Sequence, residues 1–139
     1  MIENAKNDKI FDTLSVLAAT VKDFGSARLA AAVVRRNEII SFGINRRKSH
    51  PFQAKYCKNK DAIYLHAEIS AISNALKIIS FTELQKCSLY ICRVKYTSTY
   101  RDRLVFGKAC PCDGCRRAII DFGIKNVFFT NDNLGYEKL

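Results

Sequence analysis

With 139 residues the chain has length for one domain and none for a second independent core. Apolar residues make up 48% and charged residues 26%, as in soluble globular proteins, and no run of about 18 uncharged apolar residues is present to span a bilayer. The net charge of +10, from 23 basic against 13 acidic side chains, favours phosphate-bearing partners, whether a nucleotide, a nucleic acid or an acidic surface.

The chain opens on "MIENAKNDKIFDTLS", which lacks the basic, apolar, then small-residue order of a secretory signal. Six cysteines without such a signal point to the reducing cytoplasm, where thiols bind metal or fill the core. "DKIFDTLSVLAATVKDFG" repeats apolar residues at helical spacing and predicts a helix with Asp8 as N-cap and Gly25 as stop. Two strands follow, Leu29 to Arg35 and Ile39 to Ile44, joined by a tight turn at Arg36, Asn37 and Glu38. From Asn45 to Ala62 periodicity disappears, which predicts a long basic loop carrying Arg46, Arg47, Lys48, Lys55, Lys58 and Lys60.

A second helix is expected from about Leu65 to Ile79, then a strand in "CSLYICRVKY", where Leu89 and Ile91 alternate with Tyr90 and Cys92. Residues 97 to 109 read as a polar loop with an apolar patch, "RLVFG", and a second basic cluster, Arg93, Lys95, Arg101, Arg103 and Lys108, is expected to form with the first a phosphate-facing rim. A third helix runs from Cys112 to Gly123, and "KNVFFT" forms another strand. Strands joined through helices predict parallel pairing with right-handed crossovers in a three-layer α/β/α arrangement. Only nine residues follow Thr130, too few for another parallel crossover, so "YEKL" is expected to return as an antiparallel edge strand.

Two stretches carry the chemistry. "CDGC" places Cys112 and Cys115 in the first turn of a helix, where unpaired N–H groups favour thiolates and both sulfurs reach one ion. "HAE" places His66 and Glu68 at the start of another helix. Zinc takes such nitrogen and sulfur donors, and a catalytic zinc keeps three protein ligands with a fourth position for water. His66 is the natural third ligand, and Glu68 lies too close in sequence to share the ion comfortably. It is placed instead to accept the water proton and deliver it to a leaving group. Other readings exist for each part. The two cysteines could be a redox pair, Cys110 could close a structural four-ligand zinc site, and His66 could be a core histidine. Cys57, Cys87 and Cys92 read most simply as small buried or loop residues, and His50 with Cys57 makes no convincing second ion site.

H-x-E followed by P-C-x-x-C is the signature of zinc nucleobase deaminases. With "HAE" (66 to 68), "PCDGC" (111 to 115) and the trailing "RRAIIDFGIKNVFF", the chain resembles the cytidine/deoxycytidylate deaminase superfamily, nearest in motif to deoxycytidylate deaminase-like proteins. The resemblance covers roughly residues 8 to 130 and implies a single deaminase domain over residues 1–139 with a mixed central sheet. It assigns Zn2+ to His66, Cys112 and Cys115, and proton transfer to Glu68. It also brings the Ala67 backbone and the Pro111 carbonyl to the base and, through "GIN" (43 to 45), Asn45 to the sugar. A homo-oligomer is implied as well. Two features depart from the pattern: "TSTYRDRLVFGKA" intervenes before the second motif, and the sequence ends before the fourth and fifth helices of the deoxycytidylate and tRNA adenosine branches. The insertion is expected to bring Tyr100, Arg103 and Lys108 to the mouth of the site, opposite Arg46.

Three functions fit these residues. The first is a deaminase of a free cytosine nucleotide or nucleoside, of the dCMP type, releasing ammonia and a uracil product. The second is a polynucleotide deaminase acting on cytosine or adenine in single-stranded DNA or RNA, with the positive charge and Tyr56, Tyr96 and Tyr100 as backbone funnel and stacking platform. The third is a zinc-stabilised nucleic-acid-binding module without catalysis, which has no use for Glu68.

Overall fold

The computed structural model describes residues 2–22, 27–56, 64–97, 103–133 and 135–139. Helix α1 spans Ile2–Ala19, strands β1 and β2 span Arg28–Arg35 and Glu38–Ile44, β3 spans Arg46–Ser49 and α2 Pro51–Tyr56. After β4 (Tyr64–Leu65) come α3 (Ala67–Ala75), α4 (Phe81–Leu84), β5 (Ser88–Tyr96), β6 (Leu104–Gly107), α5 (Asp113–Asp121), β7 (Asn126–Thr130) and β8 (Tyr136–Lys138).

The main sheet runs β2-β1-β5-β7-β8, with β6 also paired to β5. β5 and β7 are parallel, as the intervening α5 requires, and β8 returns antiparallel on β7 as the short C-terminal stretch predicts. β1 and β2 form an antiparallel hairpin whose turn residues Arg36 and Asn37 have φ of 51° and 65°. Two consecutive left-handed residues are the geometry that lets a two-residue turn follow the twist of its strands. β6 continues along the edge of β5 where β7 leaves off, pairing residues 93 to 96 while β7 pairs 88 to 91. Thr130 joins the two: its hydroxyl donates to the Gly107 carbonyl (2.7 Å) and accepts from the Arg93 N–H (3.0 Å).

Alternation along the central strands divides the core into two layers. Ala30, Ala32 and Val34 of β1, with Tyr90, Cys92 and Val94 of β5, face Ile10, Phe11, Leu14 and Ala18 of α1. Ala31, Val33, Leu89 and Ile91 face the other way, onto Ala67, Ala71, Ile72 and Ala75 of α3 and Ile119 beyond them. This is the three-layer architecture expected from the sequence. α3 lies very close to β2, because a Cβ built at Gly43 would come within 2.6 Å of Ser70 Cβ and clash with α3 backbone. Polar stitches fix that contact: Ser41 Oγ donates to the Ala71 carbonyl (2.7 Å), and Asn74 Nδ2 donates to the Phe42 carbonyl (2.8 Å).

Several sequence expectations need correction. Asp8 sits inside α1 rather than capping it, and the helix ends at Ala19; Gly25 lies outside the described residues. The stretch read as a loop from Asn45 contains β3 and α2. Pro51 opens α2 at the position where its missing N–H costs nothing, and His50 Nδ1 accepts from the Phe52 N–H (3.1 Å) as its cap. Leu65 belongs to β4, so the second predicted helix starts at Ala67 and ends at Ala75. The "RLVFG" patch forms strand β6, and "SFTEL" forms α4 with Ser80 accepting from the Glu83 N–H at 3.1 Å. Helix α5 ends as predicted, with Gly123 at φ 71°.

Candidate active site

Helices α3 and α5 start beside one another, and the residues at their N-termini make the site. His66 is the N-cap of α3 and Cys112 the N-cap of α5, both in extended backbone, with no side-chain cap bond from either. Their side chains are therefore free of the usual capping duty and turn to each other. His66 Nδ1 lies 3.2 Å from Cys115 Sγ and 3.6 Å from Cys112 Sγ. The ligand atoms of all three residues fall within 4.8 Å of one another. One nitrogen and two sulfurs at that separation suit zinc's preferred donors and leave one of four tetrahedral positions unclaimed.

Cys110 does not belong to this group among the described residues. Its sulfur accepts from Arg116 Nη2 at 3.0 Å, and Arg116 Nε donates to the Pro111 carbonyl at 3.2 Å. One guanidinium thus holds the approach to Cys112 and keeps Cys110 engaged elsewhere. His66 is held from its backbone: its N–H donates to Gln53 Oε1 (3.0 Å), and Gln53 is fully buried in α2. α2 is fixed in turn on α5, where Tyr56 donates its hydroxyl to Asp121 (3.0 Å) and Arg117 donates to the Tyr56 carbonyl (2.7 Å). Burial, then the bond to Asp121, raises the Tyr56 pKa.

Glu68, in the first turn of α3, is only 4% exposed although it carries a carboxyl group. Burial pushes its pKa up, with its own backbone and the neighbouring His66 charge opposing. The Cys112 thiol is pulled down to about 3, first by the hydrogen bond from Cys115 and then by that from His66. The Cys115 thiol is pushed up by its bond to Cys112 and by burial. His66 is raised, chiefly by its hydrogen bond to Cys112, against the opposite effect of burial.

These groups open into a cleft of about 480 Å³, within the range of small-molecule pockets. Asn45, Arg46, Ala67 and Lys108 line it beside His66, Glu68 and Cys112, whereas Pro111 is not among its lining residues. Asn45 also ties β1 down, accepting from the Leu29 N–H (2.9 Å) and donating to the Ala27 carbonyl (2.6 Å). Arg103 is not brought to this cleft; it lines a separate one on the α1 side of the sheet, with Asp12, Val16 and Phe106. Tyr56 is buried at 5% and offers no stacking face, while Tyr96 carries Arg28 against its ring at 4.9 Å. Tyr100 and Cys57 lie outside the described residues. Cys87 and Cys92 are core residues, the latter pushed up to about 12 by burial.

Sequence reasoning missed Gln53 and Arg116. Gln53 was hidden in a stretch without periodicity. Arg93, read from the sequence only as one member of the second basic cluster, continues the row Leu89, Ile91 that faces α3, just past Ile91 where the parallel pairing of β5 with β7 ends. That is where open α/β sheets bind ligands.

The family profile "Cytidine and deoxycytidylate deaminase zinc-binding region" matches residues 5–131, and the chain belongs to that family. The deaminase class is thereby defined, with zinc as its cofactor and the His66, Cys112 and Cys115 group positioned to bind a metal ion. Among solved structures the chain is similar to the dCMP deaminase of cyanophage S-TIM5, at 20% identity and TM-score 0.59, covering 90% of this chain and 82% of that one. It is also similar to the cytidine deaminase of Burkholderia pseudomallei, at 14% identity and TM-score 0.62, covering 95% and 90%. At such identities the likeness speaks for the fold. No curated protein sequence matches. No described helix is long and apolar enough to cross a membrane.

Proposed function

We propose that the chain is a hydrolytic deaminase of a free cytosine nucleotide of the dCMP type, acting as a single domain over residues 1–139. The observation that carries this reading is the His66, Cys112 and Cys115 cluster with the buried Glu68 carboxyl beside it, in a cleft rimmed by Arg46 and Lys108. The S-TIM5 enzyme, with which it shares a fold, has been crystallised with dCMP and dUMP, which supports a nucleotide substrate.

His66, Cys112 and Cys115 would hold the zinc, which when bound would supply a Lewis acid that lowers the pKa of water. Glu68 accepts the proton of the attacking water and returns it to the exocyclic amine of the base. The C–O bond forms first, by addition of water across the ring C=N bond so that N3 gains one proton, and the C–N bond then breaks as the protonated amine leaves as ammonia, giving the uracil product. A carboxyl raised by burial is suited to exchanging a proton nearer neutral pH than an exposed one. The Ala67 N–H and the Pro111 carbonyl address the edge of the base; that carbonyl keeps a second lone pair beside its bond to Arg116. Asn45 contacts the sugar with the N–H and lone pair its two backbone bonds leave over.

A polynucleotide substrate loses support because Tyr56, one of its three stacking residues, is buried in the core. A cytoplasmic homo-oligomer remains part of the proposal. The test is ammonia release from purified zinc-loaded protein offered deoxycytidine, dCMP and a cytosine-containing oligonucleotide. Turnover of dCMP above the other two is expected; turnover of the oligonucleotide alone overturns the substrate reading.

A further inference from the structure

We infer that Arg93 is the anchor for the substrate's phosphate and sets the preference for a nucleotide over a nucleoside. This rests on the nucleotide-deaminase reading above and adds to it a residue outside both sequence motifs.

Arg93 is half-buried and carries one buried donor without a partner among the described residues. Arg93 Nε is buried and, among the described residues, has no hydrogen-bond partner, yet the side chain lines the cleft that holds His66 and Glu68. A buried N–H without a partner is unfavourable, and an anion in the cleft that accepts from it removes the penalty. The acid whose charge reaches Arg93 is Asp132, and it is already engaged: Lys95 Nζ lies 2.9 Å from its carboxylate and the Lys108 N–H donates to it at 3.1 Å. Asp132 therefore does not serve as the missing partner.

The side chain is also held in place before any ligand arrives. Its backbone N–H donates to Thr130 Oγ1 at 3.0 Å, in the junction where β6 takes over from β7. Its stem lies across Gly107, where a Cβ would come within 3.1 Å of Arg93 Cδ. An alanine at that position would press on the stem, so the missing side chain makes the seat. A guanidinium fixed in this way loses little rotamer freedom on binding, and its planar fork matches two oxygens of a phosphate. Arg46 and Lys108 line the same cleft from exposed positions. They add attraction, but as solvated charges they discriminate weakly between ligands.

The ligand chemistry is a phosphate monoester on a nucleotide small enough for a cleft of about 480 Å³. The test is titration calorimetry of zinc-loaded wild type, Arg93→Gln and Arg93→Lys with deoxycytidine, dCMP and a single-stranded oligonucleotide containing one cytosine. All three proteins carry Glu68→Gln in addition, so that no ligand is consumed during the titration and the result stands apart from whether any ligand is deaminated. Wild type is expected to hold dCMP at least about tenfold tighter than deoxycytidine, the worth of a charge-assisted hydrogen-bond pair. Arg93→Gln should abolish that ratio while leaving deoxycytidine affinity in place, which also shows that the variant is folded. Arg93→Lys, which keeps the charge without the fork, should retain part of the ratio. An unchanged ratio in Arg93→Gln overturns the assignment, as does an oligonucleotide that binds wild type more tightly than dCMP does.

Discussion

The two faces of the sheet are built from different materials. Towards α1 the core is aromatic: Phe11 packs on Tyr90 and Tyr136 with ring centroids 5.5 and 4.9 Å apart, and Tyr90 stacks on Phe128 at 4.9 Å. Towards α3 the larger residues are mainly aliphatic, such as Leu89, Ile91 and Ile72, and the closest approach is made by small residues, with Ala67, Ala71 and Ala75 near Gly43 and Ala31. Large rings bury much apolar area but keep helix and sheet apart. Small residues bury less, yet let α3 approach until its first turn, with His66 and Glu68, stands at the strand ends beside α5. One face supplies stability and the other supplies position.

Substitutions on each face should separate these two contributions. The largest effect on stability is expected from Phe11→Ala, which removes a fully buried ring and should cost about 3–5 kcal/mol in chemical denaturation. Zinc content and turnover per folded molecule should be unchanged, and loss of either would mean that the α1 face also shapes the site. Gly43→Ala should destabilise by less, about 1–3 kcal/mol, because one added methyl must push α3 off β2. There zinc affinity and turnover should fall beyond what the lost stability explains, as measured by metal competition and ammonia release on the folded fraction.

A smaller and more local effect concerns the thiols of the chelated protein. Cys112 is exposed and held near pKa 3, whereas Cys92 is buried and pushed to about 12. A lowered pKa keeps the thiolate as pH falls, so alkylation at Cys112 should be nearly flat from pH 8 to pH 5. An ordinary thiol slows about tenfold per unit below its pKa near 8.5. Cys92 should stay unmodified throughout, and added zinc should protect Cys112. Peptide mapping by mass spectrometry gives both rates.

The chemistry was more legible in the sequence than the frame that holds it. His66, Cys112 and Cys115 are named by spacing and residue type, and the structure brings their ligand atoms together. Strands β1, β2, β5 and β7 were readable because apolar residues alternate or run continuously there, and the last antiparallel strand because the nine residues after Thr130 are too few for a parallel crossover. β3 was not, because "RRKS" pairs only with a two-residue strand and buries no row of its own. α2 was missed for a similar reason. Its six residues are too few to show a helical period, although Gln53 and Tyr56 inside it are buried. Arg103 was misplaced because the insertion before "ACPC" was read as a loop around the mouth. As β6 it is instead a strand lying along β5, which turns its first residues towards α1.

The most direct test of the central claim, that Glu68 moves the proton beside a metal held by His66, Cys112 and Cys115, is paired measurement of zinc content and turnover in Glu68→Gln. Glutamine keeps the shape and removes the exchangeable charge. The account predicts one zinc per chain, as in wild type, with turnover lower by about a hundred- to ten-thousandfold, the scale of general acid–base catalysis. Turnover within a few-fold of wild type with zinc still bound would contradict it.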